Sequence, residues 1–138
     1  MRRITLYITR EHSVSEVQAL FSAQFPFLRI KFFKNRIKEG KIVGQLAAFS
    51  PETRMKEMNP EFSDGEFEIN DEMTIPELEA KFFKQFGLFV QIDRKIGNIW
   101  MEPNMTSSWT LRKQNEHGRD ISNEDDKRIF FRDVSFGC

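Results

Sequence analysis

The chain has 138 residues, 39% hydrophobic and 30% charged, which suits one soluble domain with a core of its own. Twenty-one Lys/Arg balance twenty-one Asp/Glu, so the global charge names no partner and disfavours a generic polyanion binder. The single cysteine, Cys138, excludes an internal disulfide and a multi-cysteine metal site.

The charge is unevenly spread. Residues 1–50 hold nine Lys/Arg and three Asp/Glu, and residues 51–80 hold two and ten. Either the acidic stretch (52–79) lies against the basic one within the fold, or a basic face is left for an anion. Fifteen Phe against two Trp and one Tyr point to a phenylalanine-rich core. The N-terminal "MRRITLYITREHS" has too short an apolar run for a secretory signal. No stretch approaches the roughly 20 apolar residues of a membrane helix. These features, with the lone cysteine, indicate a cytoplasmic protein with no membrane partner.

In chain order, "RITLYIT" alternates, placing Ile4, Leu6 and Ile8 on one face of a strand. Ser13 to Glu16 is an S-x-x-E capping box. Val14, Val17, Phe21 and Phe25 then line one helical face, and Pro26 ends the helix. "FLRIKFF" predicts a second strand with Leu28, Ile30 and Phe32 inward. A basic turn, "KNRIKEGK", leads to a third strand, "KIVGQLAAF". "SPETRMKEMNP" predicts a short helix with Ser50 as cap and Pro51 at its first position.

The order then recurs. "GEFEIN" is a strand with Phe67 and Ile69 inward, and Thr74 to Glu77 is a second capping box. Ile75, Leu78, Phe82 and Phe86 form the apolar face of the next helix, which Gly87 closes. "FVQIDRK" predicts a strand with Val90 and Ile92 on one face. "KIGN" is a hairpin turn and "NIWME" the return strand. "TSSWTLRKQNEHG" predicts a helix capped by Ser108 or Thr110 and stopped by Gly118. After a polar linker, "RIFFRDVSF" predicts a final strand, at a sheet edge or paired with a partner.

With a shift of 61, residues 4–28 match residues 65–89 at seven of 25 positions, and caps and core positions are what recur. The sequence therefore predicts an α+β fold of tandem β-α-β-β-α repeats, about 3–60 and 65–118. They would form one mixed sheet with the two longer helices packed on one face. A C-terminal strand extension, 121–138, completes a single domain over 1–138.

The segments "FPFLRIKFF", "MTIPELEAKFFKQFGLFVQIDRKIGNIW" and "WTLRKQN" resemble those of a set of small uncharacterised bacterial proteins. In that set an F-P-F-L-x-x-x-F-F segment precedes a T-x-x-E-L-E helix, a V-Q-x-x-R-K-x-G-N-x-W hairpin and a W-T-L-x-x-Q-N ending. The resemblance covers roughly residues 14–118, more poorly at 36–65. It implies a bacterial origin and one fold unit, and it brings no activity.

Chemistry is sparse. His12 precedes a helix cap and His117 sits in a last helical turn, where the dipole favours a cation. There is no H-E-x-x-H, C-x-x-C, G-x-S-x-G, Walker A or G-x-G-x-x-G pattern. The acidic clusters "NEDD" (123–126) and "NDEM" (70–73) lack EF-hand spacing and read as solvated turns. No catalytic, metal or cofactor residue is indicated, and no small-molecule ligand.

The best functional candidate is "FLRIKFFKNRIKEGK", with Arg29, Lys31, Lys34, Arg36, Lys38 and Lys41 against Glu39 alone. If Leu28, Ile30 and Phe32 point inward, then Arg29, Lys31 and Phe33 point outward. Arg94, Lys95, Arg112 and Lys113 add charge, and Trp100 and Trp109 offer stacking planes. Such a face would suit single-stranded nucleic acid through phosphate neutralisation and base stacking. Phe33, Trp100 and Met101 together would instead form an apolar patch for a protein partner or a second copy. The leading expectation is a non-enzymatic protein-interaction or assembly module, possibly a homodimer; the alternative is nucleic-acid binding through 28–41. The expected surface comprises Arg29, Lys31, Phe33, Lys34, Arg36, Trp100 and Trp109.

Overall fold

The computed structural model describes residues 1–34 and 48–122, and the backbone of residues 37–38 and 41–42. Strand β1 (Arg3–Ile8) is followed by helix α1 (Val14–Gln24) and strand β2 (Leu28–Phe33). Two short strands, β3 (Ile37–Lys38) and β4 (Lys41–Ile42), pair with each other, and α2 (Met55–Met58) is a single turn. Then come β5 (Gly65–Asn70), α3 (Ile75–Phe86), β6 (Phe89–Ile96), β7 (Ile99–Met101) and a 3-10 turn at Asn104–Thr106. A further helix, α4, covers residues 111–122.

The fold is α+β, and both expected capping boxes are formed. Ser13 Oγ accepts the Glu16 N–H at 3.2 Å, and Glu16 Oε1 accepts the Ser13 N–H at 2.9 Å. Thr74 and Glu77 do the same at 3.3 and 3.0 Å. These bonds hold the Glu16 and Glu77 carboxyls below their ordinary pKa, with the backbone N–H of the cap residue the larger cause. α3 ends on Gly87, whose φ of 68° is left-handed, a conformation glycine adopts without a Cβ clash.

The single mixed sheet expected from the sequence is instead divided, and every pairing is antiparallel. β1 pairs with β5, and β2, β6 and β7 form a separate three-stranded sheet. β1 and β2 thus pair with their counterparts in the second half, whereas β3 and β4 pair with each other. The β1–β5 ladder passes through the offset of 61 and the β2–β6 ladder straddles it, with pairs 62 and 60 apart. Leu6 faces Phe67, while Ile30 and Lys31 face Ile92 and Gln91. The loops correspond as well. Met55 N–H bonds to the His12 carbonyl at 2.9 Å, and Leu111 N–H bonds to the Met73 carbonyl at 2.8 Å. His12 and Met73 stand 61 positions apart.

The division is explained by the core. Phe82 of α3 touches Phe67 of β5 at 5.0 Å and Phe32 of β2 at 5.6 Å between ring centroids, so one helix serves both sheets. Phe86 extends the cluster to Phe62 at 4.5 Å. α1 packs on β2 and α3 on β6. Each fully buried Phe adds on the order of 1.5–3 kcal/mol, and facing the sheets toward shared helices buries both apolar faces.

Two local expectations are corrected. The helix expected across 50–60 is only Met55–Met58 and is capped at Arg54. Ser50 Oγ and Thr53 Oγ1 instead pair at 2.9 Å in the turn before it. The N–H groups of Met55 and Lys56 bond back to the His12 and Arg10 carbonyls, which fixes where the helix starts. Gly118 does not stop α4, which runs through it. A Cβ there would lie 3.0 Å from Phe27 Cβ and 3.1 Å from the Lys95 carbonyl oxygen, so glycine is needed for close approach. Thr110 is the cap of α4, its Oγ1 accepting the Lys113 N–H at 3.1 Å. Residues 121–122 of the expected C-terminal extension belong to α4; the expected strand "RIFFRDVSF", with "NEDD" and Cys138, lies outside the described residues. Of the expected strand "KIVGQLAAF", Ala48 bridges Phe33, and 43–47 lie outside them too.

Candidate interaction surface

The three-stranded sheet carries the residues singled out by the sequence. Alternation puts Leu28, Ile30 and Phe32 inward, all 2% exposed or less. Arg29, Lys31 and Phe33 therefore point to the outer face, as expected. Across the ladder stand Asp93, Gln91 and Phe89, in that order.

Charge on this outer face is largely consumed within the fold. Asp93 is only 2% exposed. Its Oδ2 lies 3.1 Å from Arg29 Nη2 and 3.2 Å from Lys31 Nζ, and its Oδ1 accepts from Gln91 Nε2 at 2.7 Å. The Arg29 guanidinium also covers the Trp100 ring at 4.9 Å, and the Lys31 ammonium lies 5.4 Å from the Phe33 ring centre. Lys34 is exposed beside Phe49, 5.8 Å from its ring. Arg36 lies outside the described residues. Among the described residues of the basic segment, Arg29 and Lys31 thus pair with Asp93, which lies outside the acidic stretch 52–79.

Trp109 does not join this surface. Arg94 follows Asp93 in β6 and so turns to the opposite face of the sheet. There its guanidinium lies 5.5 Å from the Trp109 ring, with Lys113 Nζ at 4.4 Å and the His117 ring at 5.1 Å. Arg94 is 7% exposed, and its Nη1 donates to Gln114 Oε1 at 2.6 Å and to Thr106 Oγ1 at 3.2 Å. Burial lowers its pKa from the ordinary arginine value. Trp109 is therefore part of a structural layer between α4 and β6. The expected patch of Phe33, Trp100 and Met101 also divides. Phe33 and Trp100 are half-buried beneath cations on one face, and Met101 alternates to the other.

What the sequence reading missed is that Ile99 and Met105 join Met101 in an exposed apolar run at β7. Ile99 is 57% exposed, Met101 47% and Met105, in the turn that follows, 99%. β7 is an edge strand among the described residues. Just past its end stands Glu79 of α3. Glu79 Oε2 accepts the Ile92 N–H at 3.1 Å, the ladder donor that lies just past the Arg94–Met101 pair. Burial, with Glu102 and Asp93 nearby, pushes the Glu79 carboxyl up to about 7, although the Ile92 bond opposes the rise.

Among the described residues no group of His, Cys, Asp and Glu is placed to hold a metal ion, and no helix is long and apolar enough to cross a membrane. His12 Nδ1 accepts the Thr9 N–H at 3.0 Å in a turn. In "NDEM", Asp71 is buried and its Oδ1 accepts the Arg2 N–H at 2.7 Å. No protein-family model matches the chain, and no curated protein or solved structure does either.

Proposed function

We propose that this chain is a non-enzymatic protein-interaction module, built from two copies of one β-α-β unit, with β7 as a contact element. The carrying observation is an edge strand that exposes Ile99 and Met101 beside the fully exposed Met105. Apolar side chains on an open strand edge suit a partner strand, whose main chain completes the ladder while its side chains cover the methyl and thioether groups. The pairing of β1 with β5 and of β2 with β6, strands about 61 positions apart, supports the duplication. Commitment of Arg29 and Lys31 to Asp93 weighs against the nucleic-acid reading, since each would have to leave a buried carboxylate to meet a phosphate.

The test is affinity capture with the wild-type chain and with I99K/M101K. A protein retained by the wild type and lost by the variant supports β7 as the contact. Identical recovery by both overturns it. Salt-sensitive binding of a labelled single-stranded oligonucleotide by the wild type would favour the basic face instead.

A further inference from the structure

Among the described residues the two-stranded ladder has two outer edges, and they are treated differently. Opposed residues of an antiparallel pair either bond to each other or both turn outward. The Glu66 carbonyl accepts from Gln85 Nε2 at 2.8 Å, and the Glu68 carbonyl accepts from Lys81 Nζ. Residues 66 and 68 therefore turn away from β1. Their partners Tyr7 and Thr5, with Arg3 opposite Asn70, turn outward on the other side. The bond from Asp71 N–H to the Arg2 carbonyl, at 3.0 Å, continues this alternation.

α3 thus caps the β5 edge with two side-chain donors. The positions 61 earlier on α1 are Leu20 and Gln24. Leu20 has no polar group, and among the described residues no side chain donates to the carbonyls of Thr5 or Tyr7. β1 keeps a regular six-residue edge, uninterrupted by proline or bulge, with Arg3, Thr5 and Tyr7 all exposed. Natural sheets seldom leave such an edge open without a use for it.

We propose that β1 is a self-assembly edge, pairing antiparallel with β1 of a second copy so that two two-stranded ladders become one four-stranded sheet. One register alone gives every outward residue an outward partner: Arg3 opposite the second copy's Tyr7, and Thr5 opposite its own counterpart. Each of these three pairs exchanges both N–H···O bonds. The register sets a guanidinium beside a phenol ring, a favourable cation–π pair. The equivalent pairing of β5 would oppose Glu68 to Glu68, like charge against like charge. With β5 also capped, assembly closes at a dimer rather than growing. This inference uses a different sheet from β7 and stands or falls without the β7 reading.

The test is sedimentation velocity of the full chain across a concentration series. The wild type should sediment as a dimer. T5P removes an outward N–H at an edge position where proline is tolerated, and should sediment as a monomer. L20K gives α1 the lysine that α3 carries at Lys81, leaves the strand untouched, and should also be monomeric with unchanged circular dichroism. I99K/M101K should remain a dimer. A wild type that is monomeric throughout overturns the proposal. So does a dimer that survives both T5P and L20K, or one that only I99K/M101K abolishes.

Discussion

Arg29 Nη2 lies 3.1 Å from Asp93 Oδ2, across a ladder that joins residues 64 apart in sequence. The carboxylate is nearly buried while both of its cations keep about a third of their side-chain surface in water. The geometry makes Asp93 the anchor and the cations its cover. D93N should destabilise the fold by about 1–3 kcal/mol, because two cations lose their buried counter-charge but retain access to solvent. Urea denaturation measures this. The same variant frees Arg29 and Lys31, so it should bind single-stranded oligonucleotide at low salt more tightly than the wild type, by fluorescence anisotropy.

Glu79 gives a pH dependence of known sign. Its carboxyl keeps a proton up to about pH 7 in the fold, against 4.5 for the unreorganised group. Between these values the folded chain binds more protons than the unfolded chain, so stability falls as pH rises through that window. Glu79 corresponds to Gln18, which donates to the Ile30 carbonyl at 2.9 Å on the other strand of the same sheet. E79Q keeps an acceptor for the Ile92 N–H and cannot ionise. It should match the wild type near pH 5 and exceed it by about 1–2 kcal/mol at pH 8, allowing for solvent screening of a partly exposed group. Denaturation at the two pH values checks it.

Gly118 sits inside a helix, where alanine would ordinarily stabilise by about 1 kcal/mol. Here the added methyl would meet Phe27 Cβ at 3.0 Å and Arg94 Cγ at 3.1 Å. G118A should therefore lower stability, by about 1–3 kcal/mol, as overpacking does. A rise in the thermal midpoint would show that α4 can move away from β6.

T74A removes the Oγ1 acceptor from the Glu77 N–H and breaks the box that starts α3. The expected loss is about 1 kcal/mol. The Glu77 carboxyl, held low by the Thr74 N–H and hydroxyl, should titrate closer to its ordinary value by NMR.

The local elements were largely legible. Ser13, Thr74 and Gly87 mark helix ends because caps act within three or four residues of chain. The core faces of α1 and α3 follow from their 3.6-residue period, and Val17, Phe21, Leu78 and Phe82 are all buried. Gly118 misled because a glycine required for close approach reads, in one dimension, like a glycine that ends a helix.

Sequence alone determined where α1 and α3 start, which side chains share a face, and that two stretches 61 residues apart follow one pattern. Those properties arise from contacts a few residues long and from backbone periodicity. Only the tertiary structure decided that β1 lies beside β5 and β2 beside β6, that Asp93 neutralises the basic strand, and that Trp109 faces away from Trp100. Alternation fixes the face on which a side chain stands, but neither the strand next to it nor the charge opposite. Those depend on which distant surfaces bury the phenylalanines together.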